Sequence, residues 1–244
     1  LLAASLPLLL WQATPANQLP VPAPTFLAAH SMMEIFAIVV AALVFFTGQG
    51  AQETVRSIRS MVLGCAFLAV AIFDILHFLS YLGMPDLLSP NSPHKSILFW
   101  LCGRYVAGIG LLAYVLLPET PAARFPASRF GWIGVLLLVG VFSYGLLLSP
   151  QTVPAMYVAG QGLTPLKIML EWGVFALYLA VAVLLALRRT RITHCDTESL
   201  MLAVLLMAAG ELFFLVYVEV SSTANLLGHT YKVFAYYFLY RAIY

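Results

Sequence analysis

Charge is what this 244-residue chain has least of. Asp, Glu, Lys and Arg make up 9% of it, against about 25% in soluble domains. With 62% hydrophobic residues, that shortfall excludes an ordinary water-soluble fold and assigns the chain to the lipid bilayer. The Arg/Lys-rich runs that grip nucleic acid are missing, and a net charge of +2 gives no reason to expect such a partner. Cysteine is scarce as well. Cys65, Cys102 and Cys195 stand far apart and form no Cys-x2-Cys pair, which excludes a disulfide framework and a zinc knuckle. Long polar segments and internal repeats are also lacking, so nothing suggests a separate folded domain outside the membrane.

What is present is a series of apolar runs near the length, about 20 residues, that crosses a bilayer. They cover 26–46, 59–82, 96–117, 130–149, 166–187 and 199–220, and a seventh, more aromatic and more polar, runs from 224 to the end. The opening "LLAASLPLLLW" amounts to only about 16 Å of helix. It reads as a span truncated at its start, with a signal-peptide core as the alternative. The expected fold is all-α: a polytopic transmembrane helical bundle of seven complete spans plus a truncated first span, eight in the intact protein, forming a single domain over 1–244.

Basic residues orient the bundle. Arg56 and Arg59, Arg124 and Arg129, the group Arg188, Arg189 and Arg191, and finally Arg241 mark alternate connections as cytoplasmic. The intervening connections, rich in Pro, Gly and Ser, hold only Lys95 and, at a span end, Lys167. The chain thus reaches "YRAIY" on the cytoplasmic side with nothing to stop the helix, and a cytoplasmic output domain is expected after 244.

Ionisable groups inside spans are costly and are functional candidates by default. Here they are His30, Glu34, Asp74, His77, Arg104, Glu171, Glu211, His229 and Lys232. At 1.5 Å per residue, His30, His77, Glu171 and His229 lie roughly 6–8 Å below the outer helix ends, and the others about 12–13 Å down. Helices that carry polar groups to one depth should face one another there. The pairs His30/Glu34, Asp74/His77 and His229/Lys232 each share a helix face. The lower layer, with acids against Arg104 and Lys232, reads as a binding site or as an ion-pair network holding the bundle.

The histidines leave three readings open. They are uncharged and bonded to neighbouring helices, or they form a transition-metal site of His30, Glu34, Asp74, His77 and His229, or they line a pocket for haem or a small organic ligand. Trp100, one turn from Arg104, is an interface anchor or a pocket wall. His94 and His194 read as solvated loop residues, and the cytoplasmic halves of the spans as apolar.

The stretches "HSMMEIFAIVVA", "FDILHFLSYLGM", "FWLCGRYVAGI" and "LLGHTYKVFAYYFLYRAIY" resemble the membrane-associated sensor (MASE) domains of the third type over nearly the whole chain. The matching positions are His30, Glu34, Asp74, His77, Tyr81, Gly83, Met84, Trp100, Arg104, Tyr105, Gly228, His229, Lys232, Tyr236 and Tyr237. The resemblance implies a non-catalytic input module of a bacterial inner-membrane receptor, working as a homodimer. Its output would be a histidine kinase or diguanylate cyclase later in the same chain. It supplies no ligand. A competing reading is a membrane-embedded metal hydrolase of the ceramidase-like kind, for which the three histidines and an Asp suffice but the His-x3-His pair and an oxyanion-stabilising Ser are missing. A proton or ion transporter fits least, because the polar groups stop halfway across.

Overall fold

The computed structural model describes residues 20–50, 57–120, 130–192, 195–217 and 219–244. The opening apolar segment lies outside them. Seven α-helices account for the described chain: α1 (Ala23–Gly50), α2 (Ile58–Leu79), α3 (Pro93–Leu116), α4 (Gly131–Leu148), α5 (Pro165–Arg188), α6 (Thr197–Phe214) and α7 (Thr223–Ile243). Their starts follow from local chemistry. Ser57, Ser92, Thr164, Asp196 and Ser222 each accept a hydrogen bond from an amide of the first turn, satisfying a donor the helix itself leaves open. Pro93 and Pro165 take first-turn positions, where no amide is needed.

Six of these helices, α1 to α6, have the length and hydropathy of membrane spans. The seventh has the length, 21 residues, but carries His229, Lys232 and Arg241, which lower its hydropathy. The sixth span is shorter than its apolar run implied. α6 ends at Phe214, residues 215–217 and 219–222 lie outside any helix, and α7 begins at Thr223. A second departure lies between α4 and α5, where a two-stranded antiparallel hairpin pairs Tyr157–Val158 with Gly162–Leu163. Gly160 and Gly162 close it with φ of 77° and 85°, a backbone region that favours glycine.

The helices pack as a ring: α1 on α2, α2 on α3, α3 on α5, α5 on α6, α6 on α7, and α7 back on α1. α4 stands outside the ring and packs mainly on α2, so Leu137, Leu138 and Val141 are exposed, as suits a lipid-facing helix. Closure of the ring is pinned at one end by an antiparallel bridge between Pro20 and Ser222, with Val21 N donating to Ser221 O at 2.8 Å. That bridge aligns the start of α1 with the start of α7. Because the first turns of α1, α3, α5 and α7 then meet the last turns of α2 and α6, the buried polar residues collect at this one end, called the histidine end below. At the other end, Asp196 N donates to Ala242 O, tying α6 to the last turn of α7. That end is not wholly apolar, contrary to expectation. Arg59 is buried there, lying over the Tyr114 ring and reaching Arg191 O.

Candidate functional site

Each ring helix delivers polar side chains at helical spacing to the histidine end. α1 brings His30 and Glu34, α2 brings Asp74 and His77, and α3 brings Ser96, Trp100 and Arg104. α5 brings Lys167 and Glu171, α6 brings Glu211, and α7 brings His229, Lys232 and Tyr236. All are buried, none more than 5% exposed. In hydrocarbon such groups must turn to one another, and they gather in three clusters.

The first cluster joins α1, α2 and α7. The ring centroids of His30 lie 5.3 Å from those of His77 and 4.5 Å from those of His229. His77 Nδ1 stands 2.9 Å from Ser96 O, so this nitrogen carries the proton and Nε2 presents its lone pair. His77 Nε2 faces His30 Nε2 at 3.3 Å. Glu34 reaches the same place: its Oε1 is 2.9 Å from His229 Nδ1. One ligand atom from each of His30, Glu34, His77 and His229 falls within 4.8 Å of all the others. Aromatic rings enclose the group, with Phe26 and Tyr81 against His30 and Trp100 and Phe214 against His229. Gly228 makes the last contact achievable, because the Phe214 ring occupies the space a Cβ would fill.

The second cluster is a charge network immediately below. Arg104 Nη2 donates to Asp74 Oδ1 at 2.9 Å and to Tyr236 Oη at 2.9 Å. Lys232 Nζ sits between two acids, 2.7 Å from Glu34 Oε2 and 3.1 Å from Asp74 Oδ2. Trp100 lies under both cations, with Arg104 4.6 Å and Lys232 4.9 Å from its ring. Two carboxylates therefore meet two cations across α1, α2, α3 and α7. Gly103 lets α3 approach this closely, since a Cβ there would stand 3.2 Å from Asp74 Oδ1.

The third cluster joins α3, α5 and α6. Glu171 Oε1 accepts from Lys167 Nζ at 2.8 Å and from Trp100 Nε1 at 3.2 Å, and Lys167 also donates to Phe214 O. Glu211 is buried beside the network with Oε2 lacking a hydrogen bond among the described residues.

Several expectations need correcting. Asp74 is not with the imidazoles; Arg104 and Lys232 claim both of its oxygens. Glu171 does not join the histidine layer either, because Lys167, one turn away, holds it on the far side of Trp100. Trp100 itself is a pocket wall rather than an interface anchor. Lys167 and Lys95, read as belonging to connections, are fully buried. Lys95 donates to Leu87 O, Ser89 O and Asn91 Oδ1 and so knots the α2–α3 connection. His94 is not simply solvated. Its Nε2 donates to Pro150 O and its Nδ1 accepts from Met156 N, clasping the α4–α5 connection. His194 lies outside the described residues. For Lys167, the i,i+4 spacing to Glu171 was the available signal.

A cavity of about 20 Å³ opens beside His77 and His229, lined also by Tyr81, Ser96, Trp100 and Phe214. That is room for a water or a bare ion and far short of a haem or a lipid amide. As packed, the space beside these two histidines does not admit a macrocycle.

A family model described as a membrane-associated sensor domain, MASE3, matches residues 21–244. No curated protein and no solved structure matches the chain.

Proposed function

The chain belongs to the MASE3 membrane-associated sensor domains, and on that premise we propose that it is a non-catalytic input module whose signal acts at the histidine end. The histidine end faces outward and the C-terminus lies in the cytoplasm of a bacterial inner-membrane protein, as the arginine distribution indicates. The output is a histidine kinase or diguanylate cyclase in the same chain, working as a homodimer.

One observation carries this reading. α7 places His229 and Lys232 inside the site and then runs unbroken to Ile243. A helix so placed is a rigid element between the buried site and whatever follows it. A signal biases the output only if it binds two placements of α7 unequally, and the direct His229 and Lys232 contacts to Glu34 on α1 provide the difference. The test is the output of the full-length protein in native membranes, read as autophosphorylation or cyclic diguanylate synthesis. His77→Ala and His229→Ala are expected to shift output at equal membrane abundance; if both match the parent, the reading is wrong.

A further inference from the structure

We infer that the ligand of the histidine end is a divalent transition cation of the zinc class, held by His30, His77, His229 and Glu34, and that it binds in competition with the Lys232 ammonium for Glu34. The inference rests on the sensory reading of this site and deepens it.

The donor set is the first ground. Three imidazoles and one carboxylate suit a zinc-like ion, and all four are contributed by rigid helices. In a tetrahedral site with bonds of about 2.0–2.1 Å, neighbouring ligand atoms stand about 3.3–3.4 Å apart. His30 Nε2 and His77 Nε2 are at 3.3 Å. All four ligand atoms lie within 4.8 Å of one another, so no separation needs to close by more than about 1.4 Å to reach that geometry.

The second ground is what these atoms lack. With His77 Nδ1–H given to Ser96 O, Nε2 turns its lone pair toward His30 Nε2 at 3.3 Å and is oriented as a metal-ligating imidazole is, its other nitrogen bonded to a backbone carbonyl. His30 Nδ1 is buried and makes no hydrogen bond among the described residues. Glu34 Oε1 and His229 Nδ1 face each other at 2.9 Å, a contact that an ion bound to both would replace. Buried polar atoms without partners are rare and call for a ligand or an ion. These atoms belong to one cluster, and a cavity of about 20 Å³ adjoins its His77 and His229 members.

The third ground is the fate of Lys232. It already holds Asp74 at 3.1 Å as well as Glu34 at 2.7 Å. The oxygen that faces the imidazoles is Oε1, 2.9 Å from His229 Nδ1, so the ion takes one oxygen of Glu34 while Lys232 holds the other, and the two cations compete for the charge of one carboxylate. Asp74 keeps Lys232 paired whichever way that balance falls. His229 and Lys232 both ride on α7, so metal binding draws one turn of α7 toward α1 while weakening the ion pair in the turn below it.

The test is titration of the full-length protein in nanodiscs with Zn²⁺, and with Co²⁺ for its visible absorption, alongside metal analysis. One ion per chain is expected. Glu34→Gln should weaken binding by about 10- to 100-fold and Lys232→Gln should tighten it over a similar range, the span by which groups around a metal site move affinity. The melting temperature of the Lys232→Gln protein should rise more on adding Zn²⁺ than that of the parent. Absence of a stoichiometric ion, or a Lys232→Gln variant that binds no more tightly than the parent, overturns the inference. The two readings fail separately. If the histidine variants change output while the parent binds no metal, the sensory role stands and the metal falls. If the metal binds as described but leaves output unchanged, the site stands and its sensory role falls.

Discussion

Neutralising Asp74 is the perturbation whose cost the structure defines best. Asp74 is fully buried and meets Arg104 at 2.9 Å and Lys232 at 3.1 Å. Asp74→Asn keeps the shape and an acceptor oxygen but removes the charge. Two cations then face Glu34 alone. At an effective dielectric of about 20, unit charges about 4 Å apart attract by about 4 kcal/mol, and the desolvation of Arg104 and Lys232 is not recovered when their partner is neutralised. Breaking such a buried pair costs about 3–5 kcal/mol, and that is the expected loss in reversible unfolding from mixed micelles. Adding Arg104→Gln to the same protein restores equal numbers of each charge and should recover part of the loss, a coupling of about 0.5–3 kcal/mol. A single variant within about 1 kcal/mol of the parent, or a double variant showing no coupling, would refute the charge-network argument.

Other outcomes follow from single contacts. Gly228→Ala should destabilise the protein by about 1–3 kcal/mol, because the Phe214 ring that fills the space is boxed in by Trp100 and His229; equilibrium unfolding measures this. Lys95→Met should raise hydrogen exchange across residues 85–92, since Leu87 O, Ser89 O and Asn91 Oδ1 lose their common donor; unchanged exchange would show that the connection is held by other means. At the opposite end, the Ser199 hydroxyl and amide hold the Asp196 carboxyl below its usual value. A depressed pKa stabilises the start of α6 above about pH 4, the unfolded value, and the effect fades as pH falls through the lower folded value. Protection factors of the amides at 197–200, taken relative to the intrinsic exchange rate at each pH, should accordingly fall at low pH, and Asp196→Asn should remove that dependence.

Much of the site was legible because cost is readable. An acid or imidazole inside an apolar run stands out, and depth along the helix says which others it can meet; His30, Glu34, His77 and His229 were found this way. Partner choice was not legible, because it depends on which way each helix face turns. Glu171 shares its depth with the histidines but sits across Trp100, and Asp74 has the spacing of a ligand but is held by two cations. Lys95 and Lys167 were missed for a related reason. A lysine at the end of a span is ordinarily free to reach water; the i,i+4 spacing to Glu171 signals a partner for Lys167, but nothing local shows that backbone carbonyls close over either ammonium. The place of α4 outside the ring was hidden too, since α4 is as apolar as its neighbours. The end of α6 at Phe214 reflects the return loop to α7, where Tyr81 Oη and Asn225 hold Val220 O.

The Glu34–Lys232 pair is the joint between the histidine cluster and α7. The most direct measurement is a double-mutant cycle of Glu34→Gln and Lys232→Gln read on the output of the full-length protein in membranes. Each single variant is expected to shift the output equilibrium, and the double variant to shift it by less than their sum, with a coupling of about 0.5–3 kcal/mol. Strictly additive shifts, or no shift in either single variant, would contradict it.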